Sequence, residues 1–179
     1  MVVDSPRMHP SSQQHRSLPR SRVASAPMKP GERAPEFDLP DQDGIRRTLA
    51  SLLADGPLVL FFYPAASTPV CTAEACHFRD LAREFAAAGA SVAGISRDAV
   101  EKQASFARAQ AFDYPLLADV DGTVAEQFGV RRGLLGRITP VKRSTFVIDT
   151  DRTVLEVISS ELRANLHADR ALEFLRSRA

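Results

Sequence analysis

The two cysteines of this 179-residue chain stand five residues apart in the run Thr68-Pro69-Val70-Cys71-Thr72-Ala73-Glu74-Ala75-Cys76. Thr68-Pro69 reads as a helix start. Threonine is a good N-cap, and proline suits the first helical position, where a missing N–H costs nothing. Cys71 then falls at the third helical position. There the backbone N–H groups lack intrahelical acceptors and the dipole presents its positive end, which favours a thiolate over a thiol. A thiolate so placed is an activated nucleophile, the form in which cysteine reacts and is oxidised. An inert buried cysteine is the plainer alternative, and the position at a helix start argues against it. In an ideal helix Cys71 and Cys76 lie about 8.6 Å apart at Cα and about 140° apart around the axis. A disulfide wants roughly 4.4–6.8 Å. The two therefore bond only if the first turns unwind; otherwise Cys76 fills a gap on the helix face.

The elements around this run must hold it in place. Leu58 to Tyr63 is a continuous apolar strand, as in a sheet covered on both faces, and it leads into a proline loop at Pro64. The helix after Thr68 is expected to run to about Ala88, ended by Gly89, with Cys71, Ala75, Phe78, Leu81, Ala82 and Phe85 as its apolar stripe. Glu74 and Glu84 with Arg79 and Arg83 are expected on its solvated face. Upstream, Glu36–Leu39 and Arg46–Leu49 flank Asp41-Gln42-Asp43-Gly44 as a hairpin, and Ser51–Ala54 makes a short helical turn. Downstream, Ser91–Ser96 is a strand, Val100–Ala111 a helix, Pro115–Ala118 a short strand and Thr123–Phe128 a short helix. Ser144–Asp149 and Thr153–Ser159 form a hairpin, and Asn165–Arg178 closes the chain as a helix, with His167 near its start expected to face solvent. Alternating strands and helices followed by a hairpin and a helix define an α/β pattern with a covered mixed sheet.

The spacing Pro64-x-x-x-Thr68-x-x-Cys71 resembles the active-site signature of the peroxiredoxins, cysteine-dependent peroxidases. The longer run from Phe62-Tyr63-Pro64 through Cys71-Thr72-x-Glu74-Ala75-Cys76-x-Phe78-Arg79-Asp80, with Arg143-Ser144-Thr145-Phe146 downstream, is similar to the peroxiredoxin Q, or bacterioferritin comigratory protein, subgroup. The likeness runs from about Lys29 to the C-terminus. It implies a thioredoxin-like fold: a mixed central sheet, helices on both faces and an N-terminal hairpin extension. It also implies roles. Cys71 would be the peroxidatic nucleophile and Cys76 the resolving thiol. Thr68 would donate to sulfur and peroxide, besides capping the helix through the Cys71 N–H. Arg143 would fix a positive charge near the sulfur, and Pro64 would close the pocket. Each has a plainer alternative: an N-cap for Thr68, a strand terminator for Pro64, a surface charge beside Lys142 for Arg143, with Arg131 and Arg132 as competitors. The partners implied are a peroxide and thioredoxin or a similar dithiol reductant, and the protein would be a monomer.

Composition agrees with one such domain. Hydrophobic residues make up 44%, and the formal charge is +1. That balance gives no reason to expect nucleic acid or an acidic membrane as partner. No stretch approaches the roughly 18 apolar residues of a spanning helix. Two cysteines are too few for a secreted disulfide scaffold, so a reducing compartment, the cytoplasm, is expected. Residues 1–27 are rich in Ser, Pro, Arg and Gln and carry a net +3, so the rest carries −2. They are expected to be a disordered tail or a mis-assigned start, with the domain spanning 28–179. Neither a cofactor nor a metal is expected: there is no Gly-rich phosphate loop, and Cys71-x4-Cys76-His77 matches no common zinc spacing. Two other functions on this fold are disfavoured. A thiol–disulfide oxidoreductase needs Cys-x-x-Cys, and a copper chaperone needs Cys-x-x-x-Cys with a distant His.

Overall fold

The computed structural model describes residues 26–132 and 140–178. The chain opens with a hairpin, β1 (Asp38–Pro40) and β2 (Arg46–Thr48), around the expected Asp41–Gly44 turn. Asp41 builds that turn: its Oδ1 accepts from the N–H groups of Asp43 and Ile45, and its Oδ2 from Arg47. Then follow α1 (Leu49–Leu52), β3 (Leu58–Phe62), α2 (Pro69–Asp80), α3 (Ala82–Ala87), β4 (Ser91–Ser96) and α4 (Val100–Gln110). The chain continues through β5 (Leu116–Ala118), α5 (Thr123–Gln127), β6 (Ser144–Ile148), β7 (Val154–Ser159) and α6 (Ala164–Arg176). These elements follow the expected ones to within a few residues. The expected tail lies outside the described residues except for Ala26 and Pro27.

The main sheet has the order β5-β4-β3-β6-β7. β3 pairs in parallel with β4 and antiparallel with β6, so the sheet is mixed, as anticipated. Period-two alternation divides the β3 side chains between two cores. Val59, Phe61 and Tyr63 join Phe78, Phe85, Phe106 and Leu172 on the face covered by α2, α4 and α6. Leu58, Leu60 and Phe62 join Leu49, Val124 and Phe128 on the face covered by α1, α5 and the hairpin. Every β3 residue is buried, which explains the continuous apolar run. Gly94 on β4 lies against the Phe61 ring; a Cβ there would come within 2.7 Å of it. The hairpin extension reaches the sheet edge through Gln42, whose Oε1 accepts from Leu116 N–H at 2.8 Å.

Two expectations need correction. The long helix after Thr68 is two helices, because Leu81 takes φ −97°, ψ 12° between α2 and α3. The i→i−4 bonds Leu81 N–H to His77 O and Phe85 N–H to Leu81 O carry through the junction, so it is a kink rather than a separation. His167 does not face solvent. It is fully buried, because the ring is drawn under α6 by Thr145 of β6 and by the Ser160 carbonyl.

Candidate active site

The antiparallel register of β3 and β6 builds the site. Phe62, the last residue of β3, stands opposite Ser144, the first of β6. Arg143, just before β6, therefore arrives beside the exit of β3, where the chain turns through Tyr63 and Pro64 into α2. The loop is anchored from β4. Asp98 accepts the Ala66 N–H at 2.6 Å and the Ser96 hydroxyl at 2.9 Å on one carboxylate oxygen, and Lys102 at 2.6 Å on the other. Ser67 sits at φ 64°, in the left-handed region, and so turns the chain sharply into the helix.

Cys71 occupies the third position of α2, as expected, and is only 2% exposed. It packs with Tyr63, Ala66, Ala75 and Phe78. Arg143, itself 3% exposed, donates from Nη2 to the Cys71 sulfur at 3.2 Å. Among the sequence's rival arginines, Arg131 pairs with Glu126 and Arg132 with Glu161. Pro64 is half-buried at the mouth of the loop. Thr68 is the N-cap by backbone conformation, and its carbonyl takes the first helical bond from Thr72 at 2.8 Å. Its side chain does not cap the Cys71 N–H, contrary to expectation. The hydroxyl donates to the Ala65 carbonyl at 3.1 Å, because the tight loop brings that acceptor within reach first.

Glu74 also departs from expectation. It is fully buried rather than on a solvated face, and its Oε2 is ion-paired with Arg143 Nη1. One guanidinium thus serves both a carboxylate and the sulfur. Burial pushes the Glu74 carboxyl up to about 8, with the Arg143 charge pulling the other way. The other carboxyl oxygen, Oε1, has no hydrogen-bond partner among the described residues. It faces His167 Nδ1 at 3.7 Å. Burial lowers the His167 pKa, and the nearby Arg143 acts the same way. Both groups were expected at the solvated surface. Glu74 lies one turn from Cys71, on the face shared with Ala75 and Phe78, and that i, i+3 spacing was its signal. His167 had no such signal, since only the packing of α6 against α2 and β6 brings it in.

Cys76 is partly buried, unbonded to Cys71, and lies 3.4 Å from Gln110 Oε1, to which its thiol donates. Its neighbours tie α2 to the fold. Tyr114 donates to the Ala75 carbonyl at 2.8 Å, Arg79 to the Gln110 carbonyl at 2.6 Å, and His77 meets Asp169 at 2.6 Å.

A buried thiol at a helix start, under an arginine on a thioredoxin-like mixed sheet, is the arrangement of a cysteine-dependent peroxidase. The chain belongs to the AhpC/TSA family, whose model matches residues 30–157, and within it to the peroxiredoxin Q, or bacterioferritin comigratory protein, subgroup. A Mycobacterium tuberculosis protein named as a peroxiredoxin is 65% identical over 150 residues, 84% of this chain and 97% of its own. Peroxiredoxin Bcp of Escherichia coli K12 is 39% identical, covering 86% of this chain and 99% of its own. The crystal structure of peroxidoxin BcpB from M. tuberculosis superposes with a TM-score of 0.81 at 64% identity, over 85% of this chain and 99% of that one. A Xanthomonas campestris peroxiredoxin Q mutant superposes with a TM-score of 0.72 at 34% identity, over 80% and 92%. The chain is therefore a peroxiredoxin, an enzyme of peroxide reduction. Among the described residues no helix is long and apolar enough to cross a membrane.

Proposed function

We propose that Cys71 attacks the peroxide and that Cys76 then resolves the sulfenic acid as an intramolecular disulfide. The contact of Arg143 Nη2 with the Cys71 sulfur, 3.2 Å in a buried site, carries this reading. Such a charge-assisted bond stabilises negative charge on sulfur before attack and on the leaving oxygen after it. The N–H groups of Val70 and Cys71, in the first turn, add donors of the same sense. With its proton on the Ala65 carbonyl, Thr68 is left as an acceptor for the peroxide's own O–H. It becomes a donor by turning away from Ala65. Pro64 shields the pocket from water.

A structure of the X. campestris bacterioferritin comigratory protein addresses its alkyl peroxide reduction activity. Organic hydroperoxides, beside hydrogen peroxide, are accordingly the substrates we propose here. The disulfide would be reduced by thioredoxin or a similar dithiol in the cytoplasm. A monomer suffices, since Thr68, Cys71, Glu74 and Arg143 all come from one chain. The test is peroxide consumption with thioredoxin and its reductase. Cys71→Ser should fall to background, while Cys76→Ser should still form one sulfenic acid per chain. A Cys71→Ser protein with normal turnover would exclude the assignment.

A further inference from the structure

Arg143 is the only buried arginine or lysine among the described residues. It touches two groups that can each carry a full negative charge, Glu74 and Cys71. With both ionised, the buried cluster would hold a net charge of −1. An unbalanced buried charge is costly, and buried groups take up protons to avoid it. The structure offers a place for one proton. Glu74 Oε1 is buried and unpartnered among the described residues, and it faces His167 Nδ1 at 3.7 Å.

The hydrogen bonds of His167 define its tautomer. Nε2 lies 2.9 Å from the Ser160 carbonyl, which only accepts, so Nε2 carries a proton. Nδ1 of the neutral ring is then a lone pair, accepting from the Thr145 hydroxyl at 2.9 Å. That lone pair and a Glu74 carboxylate would repel each other across the gap. A proton on either group turns the repulsion into attraction.

Building on the reading of Cys71 as the attacking thiolate, we propose that Glu74 and His167 together hold one extra proton while Cys71 is a thiolate, and release it when Cys71 becomes a sulfenic acid. The chemistry balances. The thiolate attacks the terminal oxygen of ROOH; the S–O bond forms and the O–O bond breaks. Sulfur loses two electrons, giving Cys–S–OH and RO⁻, and RO⁻ takes one proton to become ROH. The cluster is neutral before the step, as Arg143 cation, thiolate and protonated pair. It is neutral again after it, as Arg143 cation, sulfenic acid and deprotonated pair. The proton given up equals the one the alkoxide consumes.

Among the described residues, Arg143 opposes protonation of the pair and Glu161, in the loop before α6, favours it, while the buried Tyr114 phenol also lies within the field of Glu74. Thr145 and Ser160 supply only neutral hydrogen bonds. The raised proton affinity of the Glu74 carboxyl, set out above, has the sense the pair requires.

The test is imidazole nitrogen NMR on the full chain labelled at histidine, with the His167 signals assigned by loss in His167→Gln. The pair's proton should leave at a pH about one unit or more higher in the reduced wild type than in Cys71→Ser, at least a roughly tenfold change in proton affinity. A second comparison avoids that substitution. Reduced Cys76→Ser and the same protein after one equivalent of peroxide should show the same displacement. In Glu74→Gln, His167 should stay the neutral Nε2–H tautomer with no dependence on the state of Cys71. Equal midpoints with and without charge at Cys71, in both comparisons, would overturn the proposal. Sulfenic acid formation, measured separately by mass, reports on Cys71 as the nucleophile, so the two ideas fail independently.

Discussion

Arg143 donates to a carboxylate with one arm and to sulfur with another, so its position is as constrained as its charge. A guanidinium held in that way costs little reorganisation when charge develops on the peroxide oxygens. Thr68→Val and Arg143→Gln should therefore each slow Cys71 oxidation by about tenfold to a thousandfold. The loss should persist at a pH where the thiolate is fully formed, as measured by stopped-flow with peroxide. Full recovery of the rates at high pH would reduce both residues to tuning thiolate formation. Glu74 supports a separate prediction about stability. Its carboxyl binds a proton more tightly in the fold, with a pKa near 8, than in the unfolded chain, near 4.5. The stabilisation is complete below about 4.5 and is lost as pH rises through about 8. Urea unfolding of reduced protein should show stability relative to Glu74→Gln falling over that window, by at most about 1.4 kcal/mol per pH unit; the comparison cancels the opposing contribution of the Cys71 thiolate, which is common to both proteins. A difference that does not change with pH would place the proton elsewhere. At this scale the places of Cys71 and Thr68 were legible, because a helix start leaves a local signature, whereas Pro64 and Arg143 stood out only through the resemblance. Glu74 was hidden by its charge, since a lone Glu between apolar residues reads as exposed until its partner is known. That partner lies 69 residues away.

Helix α2 is held down at four points besides its apolar stripe. Tyr114 donates into the helix, Arg79, His77 and Cys76 bond outside it, and Phe78 stacks on Phe61 with centroids 4.4 Å apart. Burying a side chain such as Phe78 contributes roughly 1.5–3 kcal/mol, so unwinding this helix is costly in the reduced state. Yet a Cys71–Cys76 bond cannot form within it, the two Cα atoms lying about 8.6 Å apart against a limit near 7 Å. Oxidation should therefore open roughly Thr68 to Phe78. Hydrogen exchange on peroxide-treated protein should lose protection across that segment, with non-reducing mass mapping showing a Cys71–Cys76 link. Retained protection, or a disulfide found only between chains, would exclude the mechanism. Resolution slowed by this opening would also expose Cys71 to overoxidation. Element type was easy to read here, because apolar runs and Thr-Pro or Gly punctuation mark strands and helix starts. The kink at Leu81 was not, since the apolar spacing runs unbroken from Cys71 to Phe85. Only the conformation of Leu81 divides α2 from α3.

At the scale of the molecule, two cores share one sheet and the site lies at the end of its central strands. The mixed sheet and the hairpin extension were legible as a pattern. The pairing of β3 with β6 was not, because 81 residues separate Phe62 from the end of their intervening chain at Arg143 and no local signal spans them. That pairing alone delivers Arg143 to Cys71, which is why the arginine could be chosen among rivals only by resemblance. The N-terminal boundary follows the same logic of contact. Met28 is 9% exposed, and its N–H donates to the Phe128 carbonyl at 3.3 Å. The Ala26 carbonyl and Pro27 lie against Gly129, at φ 68°, where a Cβ would come within 2.2 Å of the Ala26 oxygen. Lys29 to Ala34 then run beside the start of β7, with Gly31 N–H donating to Val154 O and Val154 N–H to Glu32 O. The chain is thus joined to the fold from Met28 onward by its own backbone bonds, far from Cys71 in sequence and by way of β7 and α5 rather than α2. We propose that residues 1–27 are dispensable. A protein starting at Met28 should keep the full peroxidase rate and melt within about 2–4 °C of the full chain, the loss of two packed residues being worth no more than about 1 kcal/mol. A larger fall in melting temperature, or a slower reaction with peroxide, would show that the first 27 residues support the fold or the site.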